Sequence, residues 1–280
     1  MQIFASVRIV RQTPSLSDSL FSVCTVARQH TIFTEKGIFP EHVGKVLVLL
    51  HIKVFVTLGA SERGCMGFSE PVKEQLDLFG AVVDNLAIMV EMARSAFNHQ
   101  CRQMLAEVEH HKVIVEEEIA LATERIDNLL GHVNGKDQVK AIKLHSILSH
   151  LQIVTETLSE LAHPLRRQIS DGIPFSPKAC TQINDLFKGH LEMLRAMADI
   201  LKTDNEVLKT YIIEDKGPQL CRLCIEFATD HEARLIEGLC TPHAAPLYLG
   251  ILDCLRIMAQ HEISVAQLLQ EVSHLAGDTL

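Results

Sequence analysis

Residues 255–262 read Leu-Arg-Ile-Met-Ala-Gln-His-Glu, a helix-like run in which Arg256 and Gln260 stand four apart and His261 and Glu262 follow. Residues at this spacing share one helix face, so a pair of ligating side chains placed this way can hold one hard or borderline cation. Glu226 and Asp230 form such a Glu-x-x-x-Asp pair, Glu107 and His111 have the same spacing, and Glu124 stands close to Asp127. Each has a plainer use. Asp230 can bond Arg234 one turn on, and the run from Glu107 to Glu118 is an ordinary solvated acidic face. The fifteen histidines include the neighbours His110 and His111, and His145 with His150. A metal or proton-shuttle site would need a convergent third ligand, so exposed or capped histidines are expected. Cys221-Arg-Leu-Cys224 has CxxC spacing without a second CxxC or a βαβ context, and two core-facing thiols are the expectation.

Catalytic machinery is hard to assemble from this text. There is no Gly-x-Gly-x-x-Gly, Walker loop, Gly-x-Ser-x-Gly or His-Glu-x-x-His. Glu107-Val-Glu-His110 supplies once the Glu-x-x-His that a di-iron bundle wants on two helices. The chain is therefore expected not to be an enzyme, with no catalytic residues. Its net charge of −9, absent tryptophan, two tyrosines and lack of basic blocks argue against nucleic-acid binding. Eight cysteines scattered through helix-like sequence suit a reducing compartment, hence the cytoplasm.

The elements that must position these residues change character near residue 70. Residues 1–70 lack helical periodicity and are expected to form a small β element or to be partly disordered, with strands at 45–50 and 53–58. The apolar window 43–60 carries Lys45, His51 and Lys53, which makes a transmembrane span the alternative to buried strands. No secretory signal is expected at the N-terminus. From about 72 to 99, Leu76, Phe79, Val83, Leu86, Val90 and Ala93 step by three and four as on an amphipathic helix, with Ser69 as its expected cap. Further helices are expected at about 101–130, 136–164, 177–202, 204–239 with a break or kink at Gly217-Pro218, and 246–275.

Six helices in two groups of three suggest a duplication. Ile147-Leu148-x-x-Leu151-x-Ile153 matches Ile251-Leu252-x-x-Leu255-x-Ile257, and 251 minus 147 gives an offset of 104 residues, the size of a three-helix bundle. The expected fold is thus all-α, two tandem three-helix bundles over 71–165 and 177–280, after the N-terminal segment 1–70. On the second seam, Ile251, Leu255, Met258, Val265, Leu269 and Val272 continue the stripe through Glu262, a carboxylate that needs a proton, a partner or water there.

The most specific text is His231-Glu-Ala-Arg234-Leu-Ile-Glu-Gly238-Leu-Cys240-Thr-Pro, followed by Leu249-Gly-Ile-Leu-Asp-Cys-Leu255 and Ala259-Gln-His261-Glu-Ile-Ser-Val265-Ala-Gln. It resembles the PhoU-like family, above all the C-terminal cytoplasmic domain of bacterial sodium/phosphate cotransporters. The resemblance implies tandem three-helix bundles and, in some members, iron or zinc held by Glu/Asp-x-x-x-Asp boxes. Laid on that pattern, the box positions Gln152, Arg256 and Gln260 have lost their carboxylates and Glu156 alone keeps one, while Glu226 and Asp230 remain intact elsewhere. Glu226, Asp230 and Glu156 are thus the candidate metal residues, although no cofactor is expected and Arg256 would repel a cation. By the same resemblance the partner is a phosphate transporter or sensor kinase, and the protein regulates phosphate uptake or signalling through protein contacts. It would be cytoplasmic, peripheral to the inner face of the membrane only through its partner. Homo-oligomerisation stays open, as do two other roles: a stand-alone structural or oligomerising relative of the cotransporter domain, and a helical-bundle metal-binding protein.

Overall fold

Apolar residues at three- and four-residue steps place the chain in helices. The computed structural model describes residues 70–277, with side chains over 75–275. The strands expected at 45–50 and 53–58, the transmembrane alternative at 43–60 and the cap Ser69 lie outside the described residues.

Helix α1 spans Glu70–His99, α2 Arg102–Leu130 and α3 Lys136–Ser170. The predicted stripe Leu76, Phe79, Val83, Leu86, Val90 and Ala93 is buried along α1. Gln100, in the left-handed region at φ 52°, ends α1, and Cys101 N–H reaches back to Ala96 O. After α2, Gly131 and Gly135 (φ 63°) supply the predicted stop.

The third helix does not end at Pro164. Proline removes one backbone donor and costs about 3 kcal/mol inside a helix. Leu161 and Leu165 flank it fully buried, and each Leu contributes about 1.5–3 kcal/mol on burial. That packing offsets the proline and carries α3 to Ser170, so the expected connection at 166–177 shrinks to the turn around Gly172 (φ 61°).

Ser176 opens α4 (Pro177–Thr203) by accepting a hydrogen bond from Ala179 N–H at 3.2 Å, with Pro177 in the first turn. Asp204 (φ 53°) closes it, and Asn205 caps α5 (Glu206–Thr210). A π-helical turn, Tyr211–Lys216, then leads directly into α6 (Gly217–Ile236). The expected break at Gly217-Pro218 is this turn: Gly217 N–H bonds Ile212 O five residues back, a spacing that admits proline without interrupting the helix. Glycine is required at 217, since a Cβ there would lie 2.3 Å from Ile263 Cγ1 and 2.6 Å from Ile212 O. Gly238 (φ 71°) ends α6, with Leu239 N–H on Arg234 O at 2.8 Å, a Schellman-type close. After the short turn Pro242–Ala244, α7 runs Ala245–Gly277.

The offset read from the third helices extends to the others. Helices α1 and α4 end at His99 and Thr203, and the next helices begin at Arg102 and Glu206; 203 minus 99 and 206 minus 102 again give 104. The two third helices, α3 and α7, pack against each other along much of their length, and α1 packs on α4. Lys143 near the start of α3 bonds Glu271 near the end of α7, while Gly250 near the start of α7 lies against Pro164, so this pair is antiparallel. One continuous apolar core joins all six long helical segments. At its edge the fully buried Lys209 is bonded by Asp204 at 2.5 Å, Glu206 at 2.7 Å and Ser273 at 2.5 Å, which ties the end of α7 to α5.

Candidate functional site

Among the described residues, chemistry-bearing side chains outside the Lys209 network gather at three places. The first is Glu262 itself. It projects from α7 into the core with no exposed surface, and His190 of α4, equally buried, meets its carboxylate through Nδ1 at 2.9 and 3.1 Å. Burial pushes the Glu262 carboxyl up from its ordinary value, and His190 opposes that shift. The pair therefore answers the need for a proton or a facing cation that the seam position created. His190 Nε2 is buried without a hydrogen-bond partner among the described residues. Sequence reasoning missed His190, although its place between Leu186 and Leu194 at four-residue steps marks it as a core histidine.

A second pair crosses the α3–α7 contact. His150 Nδ1 and His261 Nδ1 stand 2.7 Å apart, with ring centroids 5.0 Å apart. Burial holds both rings below the ordinary histidine value, and His261 is lowered further by His150. His145, the neighbour considered with His150 in the sequence, is exposed on the same helix.

The third group surrounds the residues that carried the resemblance. Arg234 donates from Nη1 to Ser176 Oγ at 2.9 Å and from Nη2 to Gln182 Oε1 at 3.4 Å. Tyr248 donates to the same Gln182 Oε1 at 2.7 Å. His231 lies buried with its ring 4.6 Å from that of Tyr248, its basicity lowered by burial and by Arg234. These bonds join the start of α4, the end of α6 and the start of α7 beneath a half-open cleft of about 200 Å³ walled by Phe175, Leu239 and Cys240.

The candidate metal residues do not converge. Asp230 is engaged by Lys178 at 2.7 Å, by Arg234 at 3.2 Å and by Gln182 at 3.3 Å, and the Lys178 bond foremost lowers its pKa. Glu226 is exposed one turn earlier. Glu156, exposed on α3, accepts from Gln152 Nε2 at 3.1 Å. Arg256 bonds Asp253 at 2.7 Å, and Gln260 is exposed. Among the described residues no group of three or more His, Cys, Asp or Glu side chains is placed to hold a metal. The box positions thus do not fit a carboxylate cluster: Arg256 carries a guanidinium and Glu156 alone keeps a carboxylate, while Asp230, outside the boxes, faces the two cations Lys178 and Arg234.

The remaining motifs have local roles. Glu107, Glu124 and Asp127 are exposed. Of the CxxC pair, Cys224 is buried with its thiol pushed up to about 12, and Cys221 is half-buried with its thiol also raised, both chiefly by burial. Neither thiol is disposed to ionise.

No known family profile matches the sequence, and no curated protein matches it. Solved structures do. The phosphate transport system regulatory protein PhoU from Streptococcus pneumoniae superposes with a TM-score of 0.63 at 14% identity, over 71% of this chain and 93% of that one. PhoU from Pseudomonas aeruginosa gives 0.67 at 12% identity, over 73% and 97%. This chain has the PhoU fold. The all-α architecture expected from the periodicity is the PhoU architecture, and the resemblance carried by residues 231–267 holds at the level of fold. Within this PhoU fold the His231 to Cys240 motif serves as a corner that clamps three helix ends, and the seam position Glu262 is a buried pair with His190.

Proposed function

We propose that the chain is a regulatory module of phosphate uptake or phosphate signalling that works through contacts with a transporter or sensor kinase and carries out no covalent chemistry. The observation that supports this reading most is the reach of the structural match: 93% and 97% of two PhoU chains are covered, so the whole tandem arrangement is matched and not a stray helical hairpin. The side-chain chemistry agrees. Asp230, Arg234, Glu262 and Lys209 are committed to partners within the fold, which leaves long helix faces as its means of action. No helix among the described residues is long and apolar enough to cross a membrane. On this reading the protein sits at the inner face of the membrane and reaches the bilayer only through its partner.

The test is recovery of partners with a tagged full chain from detergent-solubilised membranes, alongside phosphate uptake in a strain lacking the gene. The expected result is a phosphate transporter or its sensor kinase among the specific partners, with uptake no longer restrained when phosphate is plentiful. Neither partner recovered, together with uptake unchanged by deletion, would overturn the reading.

A further inference from the structure

We propose that the half-open cleft between the start of α4, the end of α6 and the start of α7 is a binding site for a small aromatic monocarboxylate of the benzoate or phenylacetate class. The regulatory reading makes no use of this cleft. Phe175, Ala179, Leu239 and Ala244 give it apolar walls, Ser176 and His231 belong to its polar lining, and no carboxylate lines it. His231 is 2% exposed, and neither of its ring nitrogens touches solvent or has a hydrogen-bond partner among the described residues. A buried donor without an acceptor is unfavourable, and a group seated in the cleft would supply one. Ser176 has a matching need. Its oxygen already accepts from Ala179 N–H at 3.2 Å and from Arg234 Nη1 at 2.9 Å. A hydroxyl has two acceptor lone pairs and one hydrogen, so what Ser176 has left to offer is a donor.

Two donors in one lining call for an acceptor, and the local charge makes it an anion. After burial itself, Arg234 is the strongest influence on both His231 and Tyr248, ahead of Asp230, which is engaged by Lys178 as well. The positive end of α4, a 27-residue helix capped by Ser176, acts in the same sense. The negative end of α6 is muted, because Glu237, Gly238 and Leu239 N–H bond its last carbonyls. The walls set the body of the ligand. Phe175 meets Tyr248 edge-on at 5.9 Å and His231 lies along Tyr248 at 4.6 Å, so a further ring finds aromatic partners. Leu239, 66% exposed at the rim, is apolar surface that such a ring would cover. Apolar cavities of about 150 Å³ hold benzene, so a cleft of about 200 Å³ takes one ring with its carboxylate. Inorganic phosphate brings no apolar surface to these walls and gives up more hydration on entry.

The experiment follows fluorine NMR of 4-fluorobenzoate and 4-fluorophenylacetate with the purified full chain, using 4-fluorobenzamide as the neutral counterpart and acetate and inorganic phosphate as competitors. The expected result is a Kd of about 0.1–1 mM for at least one of the two acids, with the amide at least about tenfold weaker. Neither acetate nor phosphate should displace the acid. His231→Phe keeps the ring and removes the N–H, and should weaken binding at least about tenfold. Leu239→Asp places a negative charge on the exposed rim, where the core is untouched, and should weaken binding by a similar factor. Val207→Asp, at an exposed position of α5 outside the cleft, should leave it unchanged. No binding of either acid at millimolar concentration, equal binding of the amide, displacement by phosphate, or undiminished binding in Leu239→Asp would overturn the proposal.

Discussion

Leu86 and Leu158 are fully buried in the first bundle, and 104 residues further on the second bundle places His190 and Glu262, also fully buried but bonded to one another. At the 104-residue offset that relates the helix ends of the two bundles, apolar side chains thus stand in one bundle where an ionisable pair stands in the other. The leucines need no partner and contribute through burial alone. The polar pair must recover the cost of leaving water, and it does so only while both members are present. The second helix shows a parallel contrast. In the first bundle α2 runs without interruption and leaves Val113 half-exposed; at the matching position the second bundle has Gly217, next to the π-helical turn and pressed against Ile263. Among the described residues the second bundle concentrates the buried ionisable side chains, His190, Lys209, His231, Arg234 and Glu262, against Lys140 alone in the first.

The contrast can be broken most strongly at the pair. Glu262→Leu or His190→Leu alone strands the other member in the core and is expected to cost about 3–5 kcal/mol in urea unfolding of the full chain. Next comes the glycine. Gly217→Ala forces a Cβ against the Ile212 carbonyl and Ile263, and overpacking of this kind costs about 1–3 kcal/mol. Val113→Ala at the matching site should stay within about 0.5 kcal/mol, as surface changes generally do. Comparable losses at 113 and 217 would remove the asymmetry.

Smaller and opposite in sign are two pH effects. His150 and His261 have folded pKa values lowered from 6.5. The unfolded chain therefore binds more protons below that point, and their contribution is fully present above pH 6.5 and is lost as pH falls through the folded values. Glu262 is raised from 4.5, so its contribution is fully present below pH 4.5 and declines as pH rises through the folded value. On going from pH 7.5 to 5 the thermal midpoint of the parent protein should shift downward relative to that of a His150→Gln/His261→Gln variant, which keeps the Glu262 contribution but lacks that of the rings. Identical slopes would show that the ring pair does not set the acid response.

Most helix positions were legible from the 3–4 spacing and the turn residues, because burial of one stripe is what forms an amphipathic helix. Pro164 misled because a proline's local cost is visible in sequence, whereas the burial of Leu161 and Leu165 is decided by packing; at Gly217-Pro218 the sequence marked the irregularity but not the π turn that absorbs it. Glu262 could be singled out because a carboxylate interrupted an apolar period. His190 could be read as a core histidine from Leu186 and Leu194, but its pairing with Glu262 could not, since the two lie 72 residues apart on different helices. The same distance effect assigned His150 to its neighbour His145 when its contact is His261, 111 residues away. Asp230 with Arg234 was readable at helical spacing, but Lys178, which bonds the same carboxylate, comes from α4.

The double-mutant cycle on His190 and Glu262 tests most directly the claim that the two bundles fill core positions 104 residues apart by different means. Unfolding free energies would be measured for His190→Leu, Glu262→Leu and the double variant, which restores the leucines of the first copy. Each single change is expected to lose about 3–5 kcal/mol and the double to return to the parent value or exceed it by about 1–4 kcal/mol. Losses that simply add in the double variant would contradict the account.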